Sequence, residues 1–147
     1  MTEQERLARA GIEKTLAACT QAGDARKADA YAGCFTEDGV LDLADRRYEG
    51  REAIRAFMAA PSVIPQPAAA GPGAGSPGFV SHHLTTCRIE LSSASTATVR
   101  TYWLVTTAVG LDHNGYYHDL FRLTGGEWLI EYRRPRTLWR APDSLIR

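Results

Sequence analysis

Two residues of this sequence, Asp24 and His82, have the side chains that a proton-transfer site needs. Asp24 follows Gly23 at the boundary between two segments with helical spacing, and His82 begins a segment with strand composition. The imidazole of histidine has an unperturbed pKa near neutrality, and a carboxylate on its second ring nitrogen would fix its tautomer and strengthen it as a base. The pair forms only if the fold joins these distant positions. The simpler alternatives are that Asp24 caps a helix and that His82 is structural.

Further candidate residues lie on strand segments in the second half of the chain. Asp119 stands among apolar and aromatic residues, where a buried carboxylate needs a partner, and it is the candidate acid or second base. Arg133 is the candidate partner, or else a group that binds a substrate oxyanion. Tyr102, Trp103 and Tyr117 are candidates for the substrate-binding wall, although aromatic residues on strands more often belong to the core.

Three polar residues near this region are predicted to be surface residues. Asp112 and His113 directly precede Asn114-Gly115, a dipeptide typical of a two-residue hairpin turn. His118 has the opposite strand parity to Asp119, so it is expected on the other face of the sheet. None of the three is therefore expected in the site.

No metal ion or organic cofactor is expected. His82 and His83 are adjacent on a strand, so their imidazoles should point to opposite faces. The cysteines, Cys19, Cys34 and Cys87, are odd in number and lack the Cys-x-x-Cys spacing of structural zinc sites, which also argues against a disulfide framework.

The overall composition limits the classes of partner. The chain has 147 residues, which fits one domain spanning 1–147. Its 17 basic and 17 acidic residues balance, so no global field would attract nucleic acid or an anionic membrane. The charged N-terminus has no apolar signal core, and no segment approaches the length of a membrane span. A cytoplasmic protein that binds a small molecule is expected.

Helical patterns dominate the first part of the chain. Thr2 and Glu5 match a capping box, and apolar residues then recur at helical spacing up to about Gln21. Gly23 would end this helix and Asp24 would cap a second one, which ends near residue 36. A short strand over 40–43 and a third helix over 50–59 follow.

The second half of the chain is predicted to be a strand meander after a long loop. Residues 61–78 are rich in Pro, Gly and Ala, carry no charge and show no periodicity, which favours a lid over a pocket. Four strands over 79–91, 97–109, 116–123 and 128–133 are joined by polar or glycine turns. The predicted fold is α+β: a cone-shaped open barrel whose curved antiparallel or mixed β-sheet packs against three N-terminal helices.

The order of these elements resembles the nuclear transport factor 2-like fold, and short motifs are similar to the SnoaL-like branch of polyketide cyclases and dehydratases. The matching segments are Gly23-Asp24, residues 34–40, residues 50–54, residues 81–90 and residues 126–130. In scytalone dehydratase and hexachlorocyclohexane dehydrochlorinase, which belong to this branch, an aspartate at the second helix orients a histidine base at the start of the long third strand. The resemblance places those roles on Asp24 and His82.

Two departures from the dehydratases favour a general lyase over a dehydratase in particular. No tyrosine precedes Asp24, and the strand after the one that begins at His82 carries Tyr102 and Trp103 where dehydratases have a histidine.

The resemblance implies a cofactor-independent lyase or isomerase that acts on a small apolar or aromatic substrate, such as a polyketide or an alicyclic compound. His82 would be the base, Asp24 would stabilise its imidazolium, and Tyr102 or Trp103 with Arg133 would hold the oxygen that gains charge. Two alternatives stay open: epoxide opening by Asp119 and Arg133, and a non-catalytic ligand-binding or assembly module. An exposed sheet face favours a homodimer or another homo-oligomer.

Overall fold

The computed structural model describes residues 1–62 and 78–146. Its helices are α1 (Glu3–Asp24), α2 (Ala28–Ala32) and α3 (Arg51–Ala59). Its strands are β1 (Phe35–Asp42), β2 (Arg47–Glu49), β3 (Ser81–Leu91), β4 (Thr96–Thr107), β5 (Gly110–Thr124) and β6 (Glu127–Arg140). Most of the segment predicted as a lid lies outside the described residues, so that prediction stays open.

The strands form one six-stranded sheet in the order β2-β1-β6-β5-β4-β3. β1 pairs with β6 in parallel and every other pair in the sheet is antiparallel, so the sheet is mixed. The curved sheet is not closed, and helices α1 to α3 cover its inner face. The predicted open-barrel α+β fold is confirmed.

Helix α1 forms as its sequence predicts, but it is longer. The capping box is present, since the Glu5 amide donates to Oγ1 of Thr2 at 3.1 Å and the Thr2 amide donates to the Glu5 carboxylate at 2.7 Å. The apolar face of α1 is buried against the sheet and comprises Ala8, Ile12, Leu16, Cys19 and Ala22. The capping box and the apolar spacing together account for both the start and the orientation of the helix.

The predicted end of α1 was wrong, and this changes the position of Asp24. The helix continues through Gly23 and ends at Asp24, which is therefore not the N-cap of the next helix. Helix α2 has only five residues, and Lys27 stands at its N-cap position. Phe35 belongs to β1, so the second helix ends earlier than predicted.

The predicted hairpin at Asn114-Gly115 was also wrong. Both residues lie inside β5, and the turn occurs earlier, where Thr107 pairs with Gly110. Gly110 takes a positive φ of 94°, a conformation that glycine adopts without steric cost. Gly115 serves a different purpose, because a Cβ there would lie 1.9 Å from the Arg136 carbonyl oxygen on β6.

Candidate active site

A cavity of about 690 Å³ lies between the inner face of the sheet and the helices. The C-terminal part of α1 and the segment after α3 border it on one side, and strands β3 to β6 border it on the other. Its apolar lining includes Leu41, Leu43, Tyr48, Phe57 and Met58. Of the predicted site residues, Asp24, His82, Trp103, Tyr117 and Arg133 line it. A cavity of this size and lining fits a small organic ligand.

Asp24 and His82 meet at this cavity, as predicted. Asp24 is the last residue of α1 and His82 is the second residue of β3. Nδ1 of His82 lies 2.6 Å from Oδ1 of Asp24, and the His82 backbone amide donates to Oδ2 at 2.8 Å. The carboxylate therefore holds both the imidazole and the start of the strand, and this limits the rotation of the ring.

The contact leaves Nε2 as the reactive nitrogen of His82. Nδ1 donates to Asp24, whereas Nε2 has no hydrogen-bond partner among residues 1–62 and 78–146. The His82 side chain is 28% exposed, so a ligand in the cavity can reach it. A positive charge on this ring would be stabilised by the Asp24 carboxylate and by the partial negative charge at the C-terminal end of α1. The arrangement is suited to accepting a proton at Nε2.

Trp103 lines the cavity next to His82, with a distance of 6.2 Å between the ring centroids. Its indole Nε1 is buried and has no hydrogen-bond partner in the described part of the chain. A buried donor without a partner lowers the stability of the fold. The Tyr117 ring packs against Trp103, with 5.7 Å between the ring centroids. Burial raises the pKa of the Tyr117 phenol above the ordinary value.

Tyr102 is not part of this wall, which corrects one of the two predicted alternatives. Its side chain is 40% exposed and lies on the outer face of the sheet, where it contacts Tyr116 and Arg100. Neighbouring residues on a strand point to opposite faces, so only one of Tyr102 and Trp103 can face the cavity. That residue is Trp103.

Asp119 and Arg133 form a buried ion pair behind the cavity wall. Nε and Nη2 of Arg133 donate to the two carboxylate oxygens of Asp119 at 2.9 and 2.7 Å. Burial opposes the charge on Arg133, but the Asp119 carboxylate raises its pKa well above the ordinary value. The guanidinium also lies over the Tyr117 ring, with Cζ 3.9 Å from the centroid. The pair therefore fixes both Arg133 and the aromatic wall.

The predicted partnership of Asp119 and Arg133 is thus confirmed, but the two residues differ in access to the cavity. Arg133 lines the cavity, whereas Asp119 is fully buried and is not among the described residues that line it. Both oxygens of Asp119 are occupied by Arg133, which does not favour direct contact with a ligand. A catalytic role for Asp119 stays a prediction.

Asp112 and His113 were wrongly predicted to lie at the surface. Asp112 is fully buried, His113 is 6% exposed, and His113 lines the cavity. The Asn114-Gly115 dipeptide suggested a turn, but strand β5 continues through it. Strand parity was the signal that would have found His113, because it shares the inward parity of Tyr117. His118 is exposed, as predicted.

Neither a metal-ligand cluster nor a spanning helix is present in the described residues. No group of three His, Cys, Asp or Glu side chains among residues 1–62 and 78–146 is arranged to hold a metal ion. None of the helices in these ranges is long and apolar enough to cross a membrane.

Solved structures with this architecture include several from bacteria. A variant of a protein of unknown function from Mycobacterium tuberculosis is 25% identical, with a TM-score of 0.76 over 99% of this chain and 80% of that one. A candidate scytalone dehydratase from Novosphingobium aromaticivorans is 21% identical, with a TM-score of 0.75 over 96% of this chain and 91% of the other. The hexachlorocyclohexane dehydrochlorinase LinA-type3 from Novosphingobium barchaimii is 15% identical, with a TM-score of 0.72 over 94% and 91%.

The sequence comparison identifies the family independently of these structures. A search of curated proteins gives no match. The model of the SnoaL-like domain matches residues 4–134, a range that includes α1 from its second residue onward, the sheet up to the middle of β6, and every predicted site residue. The chain therefore belongs to the SnoaL-like domain family.

Proposed function

We propose that the protein is a small-molecule lyase or isomerase in which His82 removes a proton from a carbon next to a carbonyl group. The observation that carries this proposal is the 2.6 Å contact between His82 and Asp24 at the wall of an organic-ligand cavity. A base in such a position contributes typically about 10² to 10⁴ in rate. The names of two similar structures, a candidate dehydratase and a dehydrochlorinase, describe eliminations and agree with this class.

The first step would move one proton and one electron pair. Nε2 of His82 takes the proton from the carbon, and the electron pair of the broken C–H bond moves into an enolate. Asp24 stabilises the imidazolium, and the enolate oxygen accepts a hydrogen bond from Arg133, which lines the cavity.

The enolate can then react in three ways that need no organic cofactor. In a dehydration, the β-hydroxyl takes the proton back from the His82 imidazolium and leaves as water. In an aldol cyclisation, the enolate carbon attacks a second carbonyl, whose oxygen takes that proton. In a double-bond shift, the imidazolium returns the proton to another carbon. The apolar lining favours a small alicyclic or aromatic substrate.

The epoxide-opening alternative has less support from the geometry. It needs Asp119 to activate a nucleophile, yet both carboxylate oxygens of Asp119 accept hydrogen bonds from Arg133 at 2.9 and 2.7 Å. Releasing one oxygen would break a buried charge pair, which is energetically costly.

The test is the reaction of β-hydroxytetralone in heavy water, followed by NMR and by the fluorescence of the naphthol product. This compound has an acidic C–H group next to its ketone and a hydroxyl on the following carbon. Wild-type protein should exchange the acidic hydrogens and release water above the rate in buffer. His82→Ala should lower both rates by about 10² to 10⁴, while the exposed His118→Ala control should not change them.

Two results would argue against the proposal. Undiminished exchange in His82→Ala would show that another group is the base. The absence of exchange and elimination with the wild type, together with tight binding of the probe, would favour the non-catalytic ligand-binding module instead.

A further inference from the structure

A second histidine–aspartate pair borders the same cavity and has no role in the reaction above. Nδ1 of His113 lies 2.7 Å from Oδ1 of Asp112, and both residues are on β5. His113 lines the cavity, whereas Asp112 is fully buried behind it. A buried, paired histidine at a cavity wall is a candidate for contact with a ligand.

The surroundings of Asp112 keep it ionised. Besides His113, its carboxylate accepts hydrogen bonds from the Thr107 hydroxyl at 3.0 Å, the Ser144 hydroxyl at 2.6 Å and the Leu145 amide at 2.9 Å. Burial alone would raise the pKa of Asp112, but these donors together lower it to about 2. Oδ1 is therefore an acceptor at neutral pH, and Nδ1 of His113 must carry the hydrogen.

This bond determines the character of the other ring nitrogen. Burial lowers the pKa of His113 below its ordinary value, against the opposing effect of Asp112, so the imidazole is neutral at neutral pH. A neutral imidazole with hydrogen on Nδ1 has a lone pair on Nε2. In the described part of the chain, Nε2 of His113 has no hydrogen-bond partner. It is an acceptor with a fixed tautomer.

The sheet register places this acceptor in the same sheet as the proposed base, at the same level and two strands away. His82 pairs with Val105 on β4, and Val105 pairs with His113 on β5. The two histidines are thus two strand spacings apart, about 10 Å between backbones. Trp103 lies between them, with its ring centroid 6.2 Å from that of His82 and 5.4 Å from that of His113. A ligand over Trp103 can contact both imidazoles.

We propose that His113 is a specificity-determining residue that accepts a hydrogen bond from a hydroxyl group of the substrate. The cavity then offers a base for the carbon next to a carbonyl group, His82, and an acceptor for a hydroxyl, Nε2 of His113. This inference rests on the proposed function and narrows its substrate class to hydroxylated carbonyl compounds. Sites built to bind a substrate hydroxyl discriminate strongly against analogues that lack it, because their own polar group is left unpaired.

The test measures the binding of two probes by titration calorimetry, without any turnover. β-Naphthol carries a hydroxyl donor, and its methyl ether has the same ring system without one. Wild-type protein should bind β-naphthol about tenfold more tightly than the ether. His113→Phe, which keeps an aromatic ring but removes the acceptor, should reduce the ratio to near one. The exposed His118→Phe control should keep the wild-type ratio.

Ring-nitrogen NMR of the wild type provides a test that does not depend on how a variant folds. Nε2 of His113 should be unprotonated in the free protein and should shift on addition of β-naphthol but not of the ether. A protonated Nε2, no measurable binding of β-naphthol, equal affinities for the two probes, or a preference kept in His113→Phe would each overturn the inference.

The two proposals fail separately in these experiments. A binding preference that depends on His113 without any exchange of β-hydroxytetralone would contradict only the proposed lyase function. Exchange that depends on His82 without a preference for β-naphthol would contradict only the role of His113.

Discussion

Asp24 accepts hydrogen bonds from both the backbone amide and Nδ1 of His82, at 2.8 and 2.6 Å, although the two residues are 58 positions apart. The backbone contact fixes where β3 starts relative to the end of α1. The side-chain contact then sets the orientation of the imidazole, with Nε2 left for a ligand. One carboxylate thus contributes both to the position of the strand and to the geometry of the candidate base.

The first prediction concerns the order of effects at this pair. With β-hydroxytetralone or the natural substrate, His82→Ala should lower kcat by about 10² to 10⁴, because the base is lost. Asp24→Asn should lower kcat less, since the base stays but loses the charge that stabilises its imidazolium. Steady-state kinetics at neutral pH measures both. Near wild-type turnover of His82→Ala beside an inactive Asp119→Asn would instead favour epoxide opening.

The second prediction concerns the buried ion pair. Asp119→Ala should lower the free energy of unfolding by about 3 to 5 kcal/mol, because the charge of Arg133 would remain buried without its partner. Replacing both residues, by Asp119→Leu with Arg133→Met, should recover most of that loss. The control is Asp38→Ala, which removes an exposed partner of Arg122 and should cost less than about 1 kcal/mol.

Urea unfolding monitored by circular dichroism measures these differences. Equal small losses for the buried and the exposed pair would show that Arg133 is hydrated in the folded protein. In that case the ion pair would not hold the aromatic wall.

The third prediction is an acid-dependent loss of stability at Asp112. The pKa of Asp112 in the folded protein is lowered from an ordinary value of 3.8 to about 2. The ionised carboxylate therefore adds to the free energy of unfolding above pH 3.8, and this addition is lost as the pH falls through about 2. The contribution is about 2 kcal/mol, since each pKa unit corresponds to about 1.4 kcal/mol.

Urea unfolding of wild type and Asp112→Asn over this pH range checks the sign. The difference in the free energy of unfolding between wild type and Asp112→Asn should decrease by about 2 kcal/mol as the pH is lowered. The exposed Asp143→Asn control should show no such change. A constant difference between wild type and Asp112→Asn would contradict the ionised state of the carboxylate.

The fourth prediction is a homodimer formed through the outer face of the sheet. Tyr102, Tyr116 and Leu120 lie on this face, and the side chains of Tyr102 and Leu120 are 40% and 37% exposed. Sedimentation should give the mass of a dimer, and Leu120→Glu should shift the protein toward monomers, because it places a charge in an apolar contact. Leu7→Glu on α1, another exposed leucine, is the control and should leave the mass unchanged.

The sequence alone determined the elements whose signals are local. The capping box of Thr2 and Glu5 and the apolar spacing behind it were enough to locate α1, because both act within a few residues. Gly125 and Gly126, with φ values of 58° and 82°, form the turn between β5 and β6 that their types predict. The family motifs added the pairing of Asp24 with His82, which spacing alone does not reveal.

The tertiary structure decided the role of residues whose partners are distant. Gly115 looks like a turn residue, but its lack of a side chain is needed because the Arg136 carbonyl on the neighbouring strand approaches its Cα closely. Asp112 looks like a surface residue, but Ser144 and Leu145, more than thirty positions away, bury it and complete its hydrogen bonds. Local sequence does not contain these contacts, since they exist only once the strands and the C-terminal segment have packed together. The buried hydrogen bonds of Asp112 next to the second histidine of the cavity could therefore be found only in the folded protein.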